Sequence, residues 1–300
     1  MEERMPIGNR ESDPNSEGYM GFKISELWGA LDPKILIPHW QELVGGYARH
    51  NTAALSVCSP QTFRYADHDR GELDFYNKGV PAGAPAVILY HGGGFNLLNK
   101  ESMAFAAPSF NAAGIAYISP GYPLAPSVSF KELLASTRRA ARWVYENARQ
   151  LGIDRNRIFV TGGSAGGYIA AYLLTTDWAE FGLPRTIFKG GMPLNTVYDA
   201  VPMYLSEGWK YLGIQADQVT ALSPISRIDN LASPVLVVRA EKEPPITHIS
   251  SDQFAEAARQ RNLLVDNYIG PGANHFTMIL DLVDPRSTLF RKMADMILAD

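Results

Sequence analysis

Arg157-Ile158-Phe159-Val160-Thr161-Gly162-Gly163-Ser164-Ala165-Gly166-Gly167-Tyr168-Ile169-Ala170-Ala171-Tyr172-Leu173-Leu174 is the stretch whose reading decides the fold. A short apolar run passes through small residues into an Ala-, Leu- and Tyr-rich run, which reads as strand, tight turn, helix. A serine held on such a turn points its hydroxyl out of the sheet. Gly162 and Gly166, on either side of it, leave room for the strained backbone and the close helix. Gly-x-Ser-x-Gly alone is a weak pattern, but a strand before it and a helix after it make Ser164 the candidate nucleophile on a strained elbow.

Working outward, Ala86-Val87-Ile88-Leu89-Tyr90 reads as a strand buried on both faces, preceded by alternating segments at Phe63-Arg64-Tyr65 and Leu73-Asp74-Phe75-Tyr76. Further buried strands are predicted at Ile115–Ser119, Arg157–Thr161, Thr186–Lys189, Pro234–Arg239 and Leu264–Ile269. Helices are predicted at Glu101–Ala113, Phe130–Gln150, Ala165–Thr175, Asp252–Arg261 and from Arg286 onward. This alternation predicts an α/β fold: a mostly parallel central sheet with helices on both faces and reactive residues on loops at the strands' C-terminal ends. Three expected units follow: a loose polar arm over residues 1–18, a helical cap over 19–60 interrupted by Pro33 and Pro38, and the catalytic domain over 61–300. Gly208–Ala221, with Trp209 and Tyr211, reads as an insertion over the active edge of the sheet.

A serine hydroxyl needs a base, and that base needs an orienting acid. In a strand–elbow–helix fold of this type the partners follow the serine in the order acid, then histidine. His275, in Gly270-Pro271-Gly272-Ala273-Asn274-His275-Phe276 after the last predicted strand, is the candidate base. Two carboxylates, Glu241 and Glu243, follow the strand Pro234–Arg239. Only one can hold the imidazole; Glu243, farther past the strand in a loop able to turn toward the histidine, is the better placed, and Glu241 is the alternative. His248 reads as a loop residue with no catalytic role. His91-Gly92-Gly93-Gly94-Phe95, directly after a buried strand, supplies backbone N–H donors where an oxyanion would form, so Gly92, Gly93 and Ala165 are the candidate oxyanion hole. His91 would brace that loop. Gly94, Phe95, Trp209 and Phe276 are candidate pocket residues.

Composition excludes other classes. A net charge of −4 without a basic run argues against nucleic acid, and the single Cys58 rules out an intrachain disulfide framework. No apolar run reaches the roughly 18 residues of a membrane span. The Met1 end has no signal-peptide pattern, so a cytoplasmic enzyme is expected. There is no His-Glu-x-x-His arrangement, phosphate loop or dinucleotide fingerprint, and neither metal nor cofactor is expected. The expected partner is a small ester or amide substrate, with a homodimer as an alternative use for the apolar face of the cap.

The chain resembles the arylformamidase (kynurenine formamidase) and hormone-sensitive-lipase-like branch of the α/β-hydrolases. Besides the elbow and the His-Gly-Gly-Gly loop, the resemblance rests on Gly71-Glu72-Leu73-Asp74-Phe75-Tyr76, Gly121-Tyr122-Pro123-Leu124-Ala125-Pro126, Thr176-Asp177-Trp178, Leu222-Ser223-Pro224 and Asn274-His275-Phe276. It spans roughly Gln61 to the C-terminus and implies a Ser164–Glu243–His275 triad with an oxyanion hole at Gly92, Gly93 and Ala165. It further implies a serine hydrolase acting on a small carboxylic ester or aryl amide, an arylformamidase being one alternative and a non-catalytic binding protein on the same scaffold another. Formamidase-like members often carry Tyr-Trp where this chain has Gly94-Phe95, closer to the carboxylesterase pattern; more acyl space is expected here. Pro244–Ser251 is expected to separate the acid from the next helix.

Overall fold

The computed structural model describes residues 17–299. The expected arm therefore lies outside the described residues except at its end, where β1 (Glu17–Tyr19) and β2 (Phe22–Lys23) form a small antiparallel hairpin. Met20 and Gly21 take positive φ at its turn.

The central sheet has eight strands: β3 (Gln61–Arg64), β4 (Glu72–Tyr76), β5 (Ala84–Tyr90), β6 (Ala116–Pro120), β7 (Ile153–Gly163), β8 (Gly190–Leu194), β9 (Val235–Lys242) and β10 (Leu264–Asn274). Their spatial order is β10-β9-β8-β7-β5-β6-β4-β3. Only β4 runs against the rest, pairing antiparallel with both β3 and β6. All seven residues of β5 are buried, as a strand covered on both faces requires. Its side chains alternate between two cores: Ala86, Ile88 and Tyr90 join one, Val87 and Leu89 the other.

The chain leaves β5 for β6 on one side and returns to β7 on the other. Connections therefore diverge at the carboxyl ends of β5 and β7, where a crevice opens in sheets of this kind. The His91 loop follows β5 and Ser164 follows β7, with Tyr90 in register with Gly162.

Two predicted elements are corrected. The strand expected at Thr186–Lys189 lies instead at Gly190–Leu194, a Gly-Gly-Met-Pro-Leu segment with little intrinsic strand preference. Packing explains the glycines: a Cβ on Gly191 would come within 2.8 Å of the Val160 carbonyl oxygen and 2.7 Å of the Leu174 side chain. Ile187 and Phe188 are buried in the preceding loop, Phe188 against Trp178. The helix expected from Asp252 begins at Pro245 and runs to Arg259, so no loop separates it from Glu243. Proline at the first helical position loses no hydrogen bond and has its φ preset, so Pro244-Pro245 starts this helix.

Residues 24–57 form short helical turns at Ile24–Glu26, Leu27–Leu31 and Pro33–Leu36, then a long helix at Trp40–Val57. Asp32 caps the Pro33 turn through Oδ1, which accepts the Lys34 N–H at 2.9 Å. Among the described residues no helix is long and apolar enough to cross a membrane.

Candidate active site

Ser164 has φ 59° and ψ −122°, a conformation that costs a side chain of order 1–3 kcal/mol. The surroundings hold it there. Its N–H donates to Leu194 O at 3.0 Å, its carbonyl accepts from Tyr168 N at 3.0 Å, and the helix Ala165–Leu174 starts at the next residue. Gly166 lets that helix approach β5: a Cβ there would collide with the carbonyl oxygen of Tyr90. Ala165, at the first helical position, has an N–H with no partner inside its own helix.

His275 Nδ1 lies 2.8 Å and 3.1 Å from the two carboxylate oxygens of Glu243. Both side chains are buried, Glu243 completely. Glu241 points elsewhere: its Oε2 accepts the Gly272 N–H at 2.7 Å and the residue is exposed. The register of the last two strands separates the two acids. Gly270 pairs with Ala240 and Asn274 with Lys242, so residues 271–273 bulge out opposite Glu241, and Glu243 emerges beside His275.

One residue that sequence reasoning missed ties the parts together. Asn195, at φ 50°, directly follows the Leu194 carbonyl that holds Ser164. Its N–H donates to Val238 O, its Oδ1 accepts from Ala240 N at 2.9 Å, and its Nδ2 donates to His275 O at 3.1 Å. No predicted strand ended there, so the one sequence signal was the tolerance of asparagine for positive φ. The base loop is fastened from the other side by Tyr47, whose hydroxyl donates to Phe276 O at 2.6 Å.

The loop after β5 is braced by a buried histidine. His91 stacks on Tyr122 with centroids 4.1 Å apart, and its Nδ1 is 2.9 Å from Gly92 O. Arg70 donates to Tyr122 O and Leu98 O, and one of its amino groups lies 3.5 Å from His91 Nε2. Burial pushes the imidazole pKa down to about 3; the Gly92 contact opposes this and the Arg70 charge adds to it. A neutral ring with the proton on Nδ1 satisfies both neighbours. In the unfolded chain this histidine titrates near 6.5, so below that pH the unfolded state takes up a proton that the folded state refuses until about pH 3. Stability should fall as pH drops through that window. Urea unfolding midpoints measured from pH 7 to 4 should decline less steeply for His91→Asn than for the native chain, although the variant is less stable at pH 7; parallel slopes would count against this account.

Two cavities meet at Ser164 and His275. The larger, about 770 Å³ with its open mouth included, is lined by Gly92, Gly93, Gly94, Trp209 and Phe276 among the expected residues. The smaller, about 390 Å³, is lined by Phe95, Ala165 and Trp209, and also by Asn195, Thr196 and Thr247. All ten candidate site residues thus belong to one neighbourhood. The far wall of the larger cavity is made by Asp32, Lys34, Trp40, Val44 and Tyr47, from the segment expected as a helical cap, in which sequence reasoning singled out neither Asp32 nor Lys34.

The space expected beside Gly94 is already taken. Tyr211 donates from its hydroxyl to Gly94 O at 2.6 Å, and a Cβ on Gly94, whose φ is +59°, would sit 3.3 Å from that hydroxyl. Phe95 turns inward against Phe130, Tyr168 and Trp209. His248 lies in the Pro245–Arg259 helix rather than a loop, accepting from the buried Arg239 through Nδ1 at 3.0 Å. Among the described residues no three His, Cys, Asp or Glu side chains cluster as metal ligands would.

A family model described as the alpha/beta hydrolase fold matches residues 87–194, which contain both the His91 loop and the Ser164 elbow. A kynurenine formamidase of Salmo salar is 26% identical over 230 residues, covering 73% of this chain and 76% of that protein. An ethyl acetate hydrolase of Pseudomonas putida is 29% identical over 214 residues, covering 65% of this chain and 67% of that protein. The solved structure of a Pyrobaculum calidifontis esterase superposes with a TM-score of 0.69 at 21% identity, covering 89% of this chain and 93% of that one. With β4 alone reversed in an eight-stranded sheet and the elbow at the end of β7, the chain has the α/β-hydrolase fold, in agreement with these matches.

Proposed function

We propose that this α/β-hydrolase is a cofactor-independent serine hydrolase that cleaves small carboxylic esters or aryl amides through an acyl-enzyme on Ser164. The observation that carries the reading is the buried Glu243 carboxylate 2.8 Å from Nδ1 of His275, a residue that lines the same cavity as Ser164. With Nδ1–H held by Glu243, Nε2 is left as the acceptor that takes the Ser164 proton as Oγ attacks the carbonyl carbon. Gly92, Gly93 and Ala165 offer their N–H groups to the oxyanion, and a strained, fixed backbone means little reorganisation when that charge appears. The imidazolium then protonates the leaving alcohol or amine. Water, deprotonated by the same Nε2, releases the acid.

The formamidase reading is kept because the Salmo salar relative is matched over most of its length. Esters have better leaving groups than amides, so a sound site of this kind hydrolyses activated esters whatever its natural substrate. Tyr211 and Trp209 narrow the space beside Gly94, yet the larger cavity remains open past Leu97, Leu98 and Met103 and has room for more than a formyl group. Acetyl and butyryl aryl esters are therefore expected to give higher kcat/KM than N-formylkynurenine, with a fluorophosphonate labelling Ser164 alone. A clear preference for N-formylkynurenine would reverse the ordering. Labelling at another residue would remove the serine mechanism altogether.

A further inference from the structure

We propose that Lys34 binds a carboxylate at the end of the substrate remote from the scissile bond, so that among substrates with the same scissile bond those bearing an acid are preferred. The proposal rests on the hydrolase reading above and concerns the far wall of the same cavity. That cavity is otherwise apolar, walled by Trp40, Val44, Leu97, Met103, Phe276 and Ile279. Besides His275 its lining includes only two ionisable side chains of opposite charge, Asp32 and Lys34.

Lys34 is half-buried, and among the described residues its ammonium has neither a carboxylate within 4 Å nor a hydrogen-bond acceptor. It is not loose in solvent either. Nζ lies 5.2 Å from the centroid of the Trp40 ring, which is itself a wall of the cavity and stacks on Phe276 beside the base. The aromatic face holds the cation at the wall without neutralising it. An ammonium partly stripped of water and lacking a counter-ion gains most from an anion that the cavity delivers.

Asp32 does not serve as that counter-ion. It is 3% exposed, and its Oδ1 is committed to the Lys34 N–H. It also stands near Tyr211: burial first, and then the Asp32 charge, hold that phenol above its ordinary pKa. Asp32 and Lys34 thus share the far wall, and among the described residues lining the cavity Lys34 supplies the one ammonium. A substrate carboxylate drawn to Lys34 on the far wall orients the scissile bond at Ser164 across the cavity.

The test uses two matched pairs that place the charge on either side of the scissile bond: phenyl acetate with 4-carboxyphenyl acetate, and 4-nitrophenyl hexanoate with mono-4-nitrophenyl adipate. In Lys34→Met, which keeps the aliphatic stem over Trp40 and the backbone N–H that Asp32 accepts, the charged-to-neutral ratio of kcat/KM should fall about tenfold in at least one pair, chiefly through KM. Lys34→Arg should restore the ratio to within about threefold, and added salt should lower it in the native chain only. Native turnover of the neutral esters with an unaltered ratio in both pairs, or a loss that Lys34→Arg fails to rescue, overturns the role of Lys34 alone. A native chain that hydrolyses none of the four overturns the hydrolase reading, and this proposal with it.

Discussion

Ser164→Ala is expected to lower kcat on an activated ester by about 10⁴- to 10⁶-fold, the range in which loss of a serine nucleophile leaves only the contribution of binding and oxyanion donors. The fold should be indifferent. Alanine keeps the Cβ, so the strain at φ 59° is the same, and the hydroxyl it removes faces the cavity rather than the core. Ser164→Gly separates the two properties further. It should be as inactive as the alanine variant but more stable, by about 1 kcal/mol, because glycine occupies this conformation without a Cβ. Steady-state kinetics and urea unfolding of both variants check this. Residual turnover above a hundredth of native in the alanine variant would mean that another group does the chemistry.

The second large effect separates two neighbouring carboxylates. Glu243→Gln should reduce kcat about 10³- to 10⁴-fold, since an amide in place of the buried carboxylate no longer stabilises the imidazolium and favours the wrong tautomer of His275. Glu241→Gln should cost less than about threefold, because its interaction with the Gly272 N–H is made at an exposed edge and a glutamine oxygen can accept the same bond. The comparison is a ratio of two conservative variants on one substrate, so general losses of stability cancel. A reversed ranking would place the acid of the catalytic set at Glu241 and contradict the geometry around His275.

Much of the fold was legible in the sequence because the information is local. Ala86–Tyr90 is apolar throughout because helices cover both faces of β5, and a run of that kind needs no knowledge of its neighbours to be recognised. The elbow is equally local: Ser164 between Gly162 and Gly166 follows a strand and opens a helix, and each of those three features is written within a few residues of the others. The His-Gly-Gly-Gly loop could be placed for the same reason.

Where packing overrode local preference, the sequence misled. The strand expected at Thr186–Lys189 forms instead at Gly190–Leu194, where only glycine fits at position 191 between Val160 and Leu174. Pro244-Pro245 reads as loop and begins a helix.

What the sequence determined by itself was the order of elements, the positions of Ser164, His275 and the glycine loop along the chain, and two candidate acids with Glu243 preferred over Glu241. The contact itself depends on how β10 lies on β9: pairing of Asn274 with Lys242 across a bulge turns Glu243 inward and leaves Glu241 at the edge. The junction made by Asn195, and which side chains of the expected cap, Asp32 and Lys34 among them, face the Ser164 cavity, were likewise not legible, because each joins residues far apart in the chain. Local periodicity reports which face of an element is buried. It carries no information about which distant side chain will meet that face, and contacts of that kind exist only once the sheet has closed and its register is set.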